Sequence, residues 1–177
     1  SGTIAWTDRN GTAHALEGNI TVSAQAAAFM AQILGLKGAA ALSDLAQTVP
    51  DSGGTTFVPA LAGLGAPHWN DAARGTIAGM THATTPAHLA RATFEAIAHQ
   101  IADVLDAMEA DIGQPLATLR ADGGASGNAF LMQMQADLAN RPVHAAEVEE
   151  IGALGVAGMA VAAVGGTLVQ AADATVY

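Results

Sequence analysis

The second half of the chain alternates short apolar segments with longer helical ones, and this order limits the possible folds severely. Apolar residues at 117–121 and 142–145 predict strands, whereas the spacing over 127–139 and 151–164 predicts helices. Strand, helix, strand and helix at these intervals are typical of a layered domain in which helices pack on a sheet. The sequence therefore predicts an α/β fold.

The first half of the chain predicts a hairpin, a short strand and three helices. A turn at Asn10-Gly11 joins the two strands of the hairpin. The longest helix begins at Thr84-Thr85-Pro86, keeps apolar residues at helical spacing and ends at Gly113. The other predicted ranges are 3–7 and 13–18 for the hairpin, 22–34 and 39–49 for the two shorter helices, and 56–60 for the strand.

Composition limits the organisation of the chain and its partners. Its 177 residues are 51% apolar and 12% charged, with no internal repeat and no clear linker, so we expect a single domain over 1–177. A net charge of -10 repels phosphodiester backbones and anionic lipids, so we expect neither a nucleic acid nor a membrane partner. The chain has no cysteine and no segment typical of a signal peptide or membrane span, which favours the cytoplasm.

Two consecutive glycines lie between a predicted strand and a predicted helix, in the segment "RADGGASGNAF" at 120–130. A helix N-terminus offers unpaired N–H groups and a partial positive charge, so this connection suits an anionic ligand. The same residues also suit a tight turn without any ligand. The local pattern leaves both interpretations open.

Other candidate catalytic or metal-binding groups lack the spacing that their chemistry requires. No serine lies in a GxSxG motif, and GxGxxG is absent. The acidic residues Glu147, Glu149 and Glu150 precede the last helix, where carboxylates favour the helix dipole. We therefore predict no catalytic residue and no metal site in this chain. The six histidines also lack metal-ligand spacing and are interpreted as surface or packing residues: His14, His68, His82, His88, His99 and His144.

Three long segments occur in the order of a known family. They read "FVPALAGLGAPHWNDAARGTIAGMT", "HLARATFEAIAHQIADVLDAMEAD" and "RADGGASGNAFLMQMQADLANRPV". Together they resemble the C-terminal domain of the FGGY carbohydrate kinases, most closely the glycerol kinase branch, from about Leu16 to Gly165. One of the family's sequence patterns is matched by Gly75, Ile77, Gly79, Met80, His88, Leu89, Ala92 and Glu95.

The resemblance implies the C-terminal half of a two-domain kinase. Such kinases consist of two actin-like (ribonuclease H-like) domains, each with helices packed on a mixed sheet. ATP and Mg2+ lie in the cleft between the domains, with Mg2+ held mainly by the ATP phosphates and the N-terminal domain. A carboxylate of that domain, which this chain lacks, deprotonates the polyol or sugar hydroxyl that attacks the γ-phosphate. The resemblance therefore implies an ATP-dependent phosphotransferase acting on an alcohol group (EC 2.7.1.-), often homo-oligomeric, of which this chain alone is inactive.

The resemblance also assigns nucleotide-binding residues. Gly124 would let the backbone approach the nucleotide, and the Asn128 amide would lie near the adenine or ribose. Asp122 and Gly123 would complete the turn. Glycerol kinases place a glycine and a glutamine of an earlier helix against the nucleotide, and those positions carry Ala24 and Ala28 here.

Two questions stay open at the level of sequence. The Gly/Pro-rich 60–75 loop either braces the cleft or lies near the substrate. The alternative to a kinase domain is a noncatalytic interaction or assembly module, because Ala24 and Ala28 remove polar character and an isolated half exposes apolar helix faces. An oxidoreductase ranks behind both.

Overall fold

The computed structural model describes residues 2–8, 11–148, 151–167 and 174–177. They fall into two compact units, unit 1 up to Pro115 and unit 2 from Leu116. Each unit is described by itself. The single domain over 1–177 stays a prediction.

Unit 1 combines two small sheets with three helices. Strands β1 and β2 pair antiparallel from Gly2↔Leu16 to Asp8↔Gly11, which confirms the predicted hairpin. Arg9 and Asn10 of its turn lie outside the described residues. The elements are β1 Gly2–Asp8, β2 Gly11–Leu16, α1 Gln25–Ile33, α2 Ala39–Ala46, β3 Thr56–Val58, β4 Thr76–Ala78 and α3 Pro86–Ile112.

Helix α3 has the bounds that its sequence predicts. Thr85 is the N-cap in extended conformation, and its backbone N–H donates to His88 Nδ1 at 3.0 Å in a capping box. Gly113 ends the helix in the left-handed conformation, with φ 75°. The buried face of α3 packs on α1, α2 and β3. The core of unit 1 includes Phe94 and Ile97 of α3, Met30 of α1 and Leu42 of α2.

The shorter elements of unit 1 differ from their predicted bounds. Helix α1 begins at Gln25 rather than Val22, because Thr21, Val22 and Ser23 are poor helix formers. Helix α2 ends at Ala46 rather than Val49, since a residue before proline avoids the helical conformation and Pro50 follows. The sequence analysis missed β4, a three-residue strand that pairs antiparallel with β3.

The 60–75 loop is held within unit 1 by hydrogen bonds. Leu64 and Asn70 exchange backbone bonds of 2.9 and 3.0 Å, and Ala66 N–H donates to Asn19 O at 2.9 Å. His68 Nε2 lies 3.2 Å from Asp103 Oδ2 on α3. These contacts brace the loop against the rest of unit 1.

Unit 2 is a mixed sheet with a helix packed on it. Strand β6 lies between β5, with which it is parallel, and β7, with which it is antiparallel. Helix α4 packs on β6. This arrangement confirms the predicted α/β class. The elements are β5 Leu119–Ala121, a 3₁₀ turn Gly124–Gly127, α4 Ala129–Ala139, β6 Val143–Ala146, α5 Ile151–Ala163 and β7 Ala174–Val176.

Helix α5 carries apolar side chains that remain exposed. It has no buried residue, and Val156 and Met159 are 65% and 60% exposed. Across the described ranges, no helix combines the length and the apolar character needed to cross a membrane.

Candidate functional site

The connection from β5 to α4 brings four of the predicted site residues together. Strand β5 ends at Ala121, Asp122 and Gly123 follow, and Gly124 begins the 3₁₀ turn. Asn128 then serves as the N-cap of α4. The structure thus places Asp122, Gly123, Gly124 and Asn128 on a single strand-turn-helix connection.

Hydrogen bonds within the turn fix its shape. Ser126 is buried, and its backbone N–H and Oγ both donate to Gly123 O, at 3.0 and 2.7 Å. The Asn128 N–H donates to Ala125 O at 3.1 Å. Gly123 has φ 82°, a conformation that L side chains rarely adopt. The turn therefore needs glycine at position 123 for its own backbone geometry.

Gly124 has no such internal reason to be glycine. Its φ lies outside the left-handed region, and a Cβ built on it meets no heavy atom within 4 Å. Neither backbone strain nor packing among the described residues excludes a side chain here. The space at this position is open to a group that approaches from outside the protein.

A cavity of about 390 Å³ opens beside the turn. This volume is within the range of small-molecule sites. Among the described residues, Glu147 is the only one with a charged side chain that lines the cavity, so the lining includes no lysine or arginine from that part of the chain. The charge disfavours phosphate groups and suits a neutral base or ribose hydroxyls, which can donate to a carboxylate. The lining residues are Gly123, Gly124, Ser126, Gly127, Ala145, Ala146, Glu147, Thr175 and Tyr177.

Asn128 has a structural role at this site. Its Oδ1 accepts a hydrogen bond from the Leu131 N–H at 3.0 Å, which caps the first turn of α4. Asp122 is exposed, and neither it nor Asn128 lines the cavity. A contact of Asn128 or Asp122 with a nucleotide stays a prediction.

The two alanines that the resemblance adds to the site lie in unit 1. Ala24 immediately precedes α1, and Ala28 lies one turn later on the same face. Both are exposed, so their small side chains leave open surface at the start of the helix. Their part in nucleotide binding also stays a prediction.

The sequence analysis missed the far wall of the cavity. Ala145, Ala146 and Glu147 come from the end of β6, and Thr175 and Tyr177 come from the last strand segment. Of these residues, the sequence analysis considers only Glu147, as a carboxylate near the start of a helix. Its acidic neighbours Glu149 and Glu150 lie outside the described residues. No sequence motif joins these segments to the glycine turn, because only the sheet order brings them together.

Two of the histidines have structural partners. His88 belongs to the cap of α3, and His68 pairs with Asp103. In the part of the chain that the structure describes, no three His, Asp or Glu residues are grouped so that they could hold a metal ion.

Comparison with known proteins places this chain in a family. The family model for the FGGY family of carbohydrate kinases, C-terminal domain, matches residues 4–164. A glycerol kinase of Nitratidesulfovibrio vulgaris strain DP4 is 48% identical over 164 residues, which cover 92% of this chain and 33% of that protein. A glycerol kinase of Trichlorobacter lovleyi is 50% identical over 155 residues, covering 87% and 31%. This chain thus spans about a third of the length of the curated relatives it matches.

Solved structures agree with the sequence match. The crystal structure of Plasmodium falciparum glycerol kinase with ADP has a TM-score of 0.82 and 32% identity over 89% of this chain and 32% of that one. A ligand-bound xylulose kinase from Lactobacillus acidophilus has a TM-score of 0.81 and 28% identity, covering 94% and 35%. These matches confirm the predicted resemblance and the actin-like α/β fold. The chain therefore belongs to the FGGY family of carbohydrate kinases and corresponds to its C-terminal domain.

Proposed function

We propose that this chain is the nucleotide-binding C-terminal domain of a glycerol kinase-like enzyme that transfers the γ-phosphate of ATP to a hydroxyl of a small polyol or sugar. The observation that carries the proposal is the cavity beside Gly123 and Gly124, where a missing Cβ leaves space that packing does not require. The likeness to glycerol kinases, one of them solved with ADP, supports it.

Each part of the turn has a role in this proposal. Gly123 and the two hydrogen bonds of Ser126 fix the backbone, so the site is formed before the nucleotide arrives. Gly124 lets the nucleoside lie against the backbone. The Glu147 carboxylate accepts a hydrogen bond from a hydroxyl of the nucleoside, and its charge keeps the phosphates away from this end of the ligand.

The phosphates and their Mg2+ then extend beyond this cavity. The family resemblance implies that this ion is held mainly by the ATP phosphates and by the N-terminal domain. That domain also supplies the carboxylate that activates the acceptor hydroxyl, which leaves this chain inactive alone. Charge stabilisation and positioning account for most of such catalysis, so both domains are required. We expect the enzyme to be cytoplasmic, since a chain without cysteine suits a reducing compartment, and homo-oligomeric, as the family resemblance implies.

Titration of the complete kinase with a nonhydrolysable ATP analogue tests the nucleotide site. We expect Gly124→Val to weaken binding by at least about tenfold, because its side chain fills the space that the nucleoside needs. Gly152→Val is the matched control, since a Cβ at Gly152 on α5 also meets no atom within 4 Å and lies outside the cavity lining. Equal affinity of the two variants contradicts the assignment of Gly124.

A phosphoryl-transfer screen tests the reaction. The complete kinase is assayed with glycerol, erythritol, pentuloses and hexoses, and we expect ATP-dependent phosphorylation of at least one of them. Failure with every acceptor contradicts the kinase proposal.

The exposed apolar surface of α5 favours a second candidate function, a noncatalytic assembly module. Such a module would associate through α5 and would not respond to nucleotide. Light scattering of this chain with and without the ATP analogue, combined with the titration above, separates the candidates. Association without any nucleotide binding by the complete protein supports the module.

A further inference from the structure

Asp122 is the only aspartate of the chain that is followed by a glycine. It comes directly after the last residue of β5, and its side chain is exposed. Among the described residues, its carboxylate takes part in no hydrogen bond or ion pair, and it does not line the cavity beside the turn. No contact therefore keeps this carboxylate away from its own backbone.

The peptide nitrogen next to this carboxylate is also unhindered. Gly123 O accepts two hydrogen bonds from Ser126, but the Gly123 N–H makes none with the described residues. A glycine has no Cβ that would crowd its own nitrogen. Because the nitrogen and the Asp122 carboxyl carbon belong to adjacent residues, a reaction between them is intramolecular and needs no other protein group. These conditions favour closure of the side chain onto the following peptide bond.

We propose that Asp122-Gly123 is a modification site, at which the native chain isomerises spontaneously to isoaspartate. The carboxylate takes up a proton, the Gly123 nitrogen bonds to Asp122 Cγ, and the proton of that nitrogen leaves with the carboxyl OH as water. The product is a five-membered cyclic imide. Water then opens the imide at one of its two carbonyl carbons and releases the proton that was taken up. Opening at Cγ restores aspartate, whereas opening at the main-chain carbonyl gives isoaspartate.

Isomerisation changes the shape of the turn. In isoaspartate the main chain runs through Cβ and Cγ, which lengthens the connection after β5 by one carbon–carbon bond of about 1.5 Å. The register Ala121↔Ala145 lies before this insertion, so the shift falls on Gly123 and on the two bonds that Ser126 donates to its oxygen. Gly124 moves with them, which impairs the nucleotide site. This consequence rests on the proposed function, whereas the modification itself does not.

Endoproteinase Asp-N measures the reaction, because it cleaves before aspartate but not before isoaspartate. The 177-residue chain is incubated at neutral pH for several weeks, and mass spectrometry of the digest gives the fraction left uncut at Asp122. Asp137 is the matched control, since it is also exposed but precedes Leu138 within α4 and accepts a hydrogen bond from Gln133 Nε2 at 2.9 Å. We expect uncut product to accumulate at Asp122 at least about tenfold faster than at Asp137. Equal rates at the two positions overturn the proposal.

A parallel incubation in concentrated urea separates the native turn from the dipeptide as such. The native chain should isomerise at Asp122 at no less than about a tenth of the rate of the unfolded chain. Isomerisation in urea with none in the native chain would show that the folded turn blocks the reaction, and would overturn the proposal.

The complete kinase tests the consequence for binding. Its affinity for a nonhydrolysable ATP analogue should fall in proportion to the isomerised fraction during the same incubation. Asp122→Glu should keep its initial affinity, because glutamate would have to close a six-membered imide, which forms far more slowly. Isoaspartate formation without any loss of affinity supports the modification but contradicts the nucleotide site at this turn, so the two proposals fail separately.

Discussion

At the scale of the residue, Asn128 caps helix α4 and is also predicted to contact the nucleotide. Its Oδ1 caps α4, so a change that removes the side chain affects the helix whether or not a nucleotide binds. A variant that keeps the cap is needed to separate a loss of helix stability from a loss of nucleotide affinity. Serine is such a residue, because its hydroxyl also accepts from the first turn of a helix.

We expect Asn128→Ala to lower the free energy of unfolding of this chain by about 1 kcal/mol and Asn128→Ser to change it by only a few tenths. Urea denaturation followed by circular dichroism measures both. In the complete kinase, a loss of ATP-analogue affinity in Asn128→Ser would then report the lost amide rather than the lost cap. Equal stability of the alanine variant and the unchanged chain would show that the cap has no energetic role.

The residues of this turn could be predicted from the sequence only in part. Two glycines between a strand and a helix indicated the turn, but local physics favoured a plain turn over a ligand site. The resemblance to the kinase family, and not the spacing, assigned Gly124 to the nucleotide. The open space at its Cβ position became visible only in the structure.

At the scale of the element, α3 shows which helices a sequence specifies well. Its cap, its first proline, its apolar spacing and its final glycine all agree, and the helix has the predicted bounds. The strands β4 and β7 have three residues each, too few for a period of two to stand out. They form because longer-range packing places a partner strand beside them.

The core face of α3 should determine the stability of unit 1. Ile97 is 1% exposed, and Ile97→Ala is expected to lower the free energy of unfolding by about 2–5 kcal/mol because it leaves a cavity. Ile112, at the end of the same helix and 40% exposed, serves as the control, with a change of about 0.5 kcal/mol for Ile112→Ala. Chemical denaturation measures the free energy of unfolding of both variants. A similar decrease in both would mean that the buried face of α3 does not determine the stability of unit 1.

At the scale of the whole molecule, a high negative charge and an exposed apolar helix oppose each other. The net charge of -10 keeps copies of the chain apart, whereas α5 exposes apolar side chains that water solvates poorly. Salt weakens the repulsion but leaves the apolar attraction in place. Association through α5 should therefore increase with ionic strength.

A matched pair of methionines tests this balance. Met159 on α5 is 60% exposed and Met80 in unit 1 is 58% exposed, so Met159→Lys and Met80→Lys change the charge and the exposed apolar area similarly. Light scattering of this chain at about 0.5 M salt, where exposed charges are largely screened, should show less association for Met159→Lys only. The same decrease in both variants would show that association does not depend on α5, since the added lysine lowers the net negative charge and by itself favours association.

The family could be predicted at this scale from three collinear segments, but the geometry of the site could not. The cavity beside the glycine turn takes its second wall from Ala145–Glu147 and from Thr175 and Tyr177. These segments are separated along the chain and share no motif. Their meeting depends on β6 pairing with a different strand on each side.

The unobstructed Cβ position at Gly124 also makes this turn a site for a chemical reporter. The chain contains no cysteine, so Gly124→Cys would place a single thiol where the structure shows open space. A small thiol-reactive dye should label that position alone, since the thiolate is the only strong nucleophile of its kind in the chain. The rate of labelling then reports how accessible the turn is, with the cysteine-free unchanged chain as the blank. Since this cysteine takes up space that the nucleoside is proposed to need, slower labelling indicates occupancy only for ligands that still bind the variant.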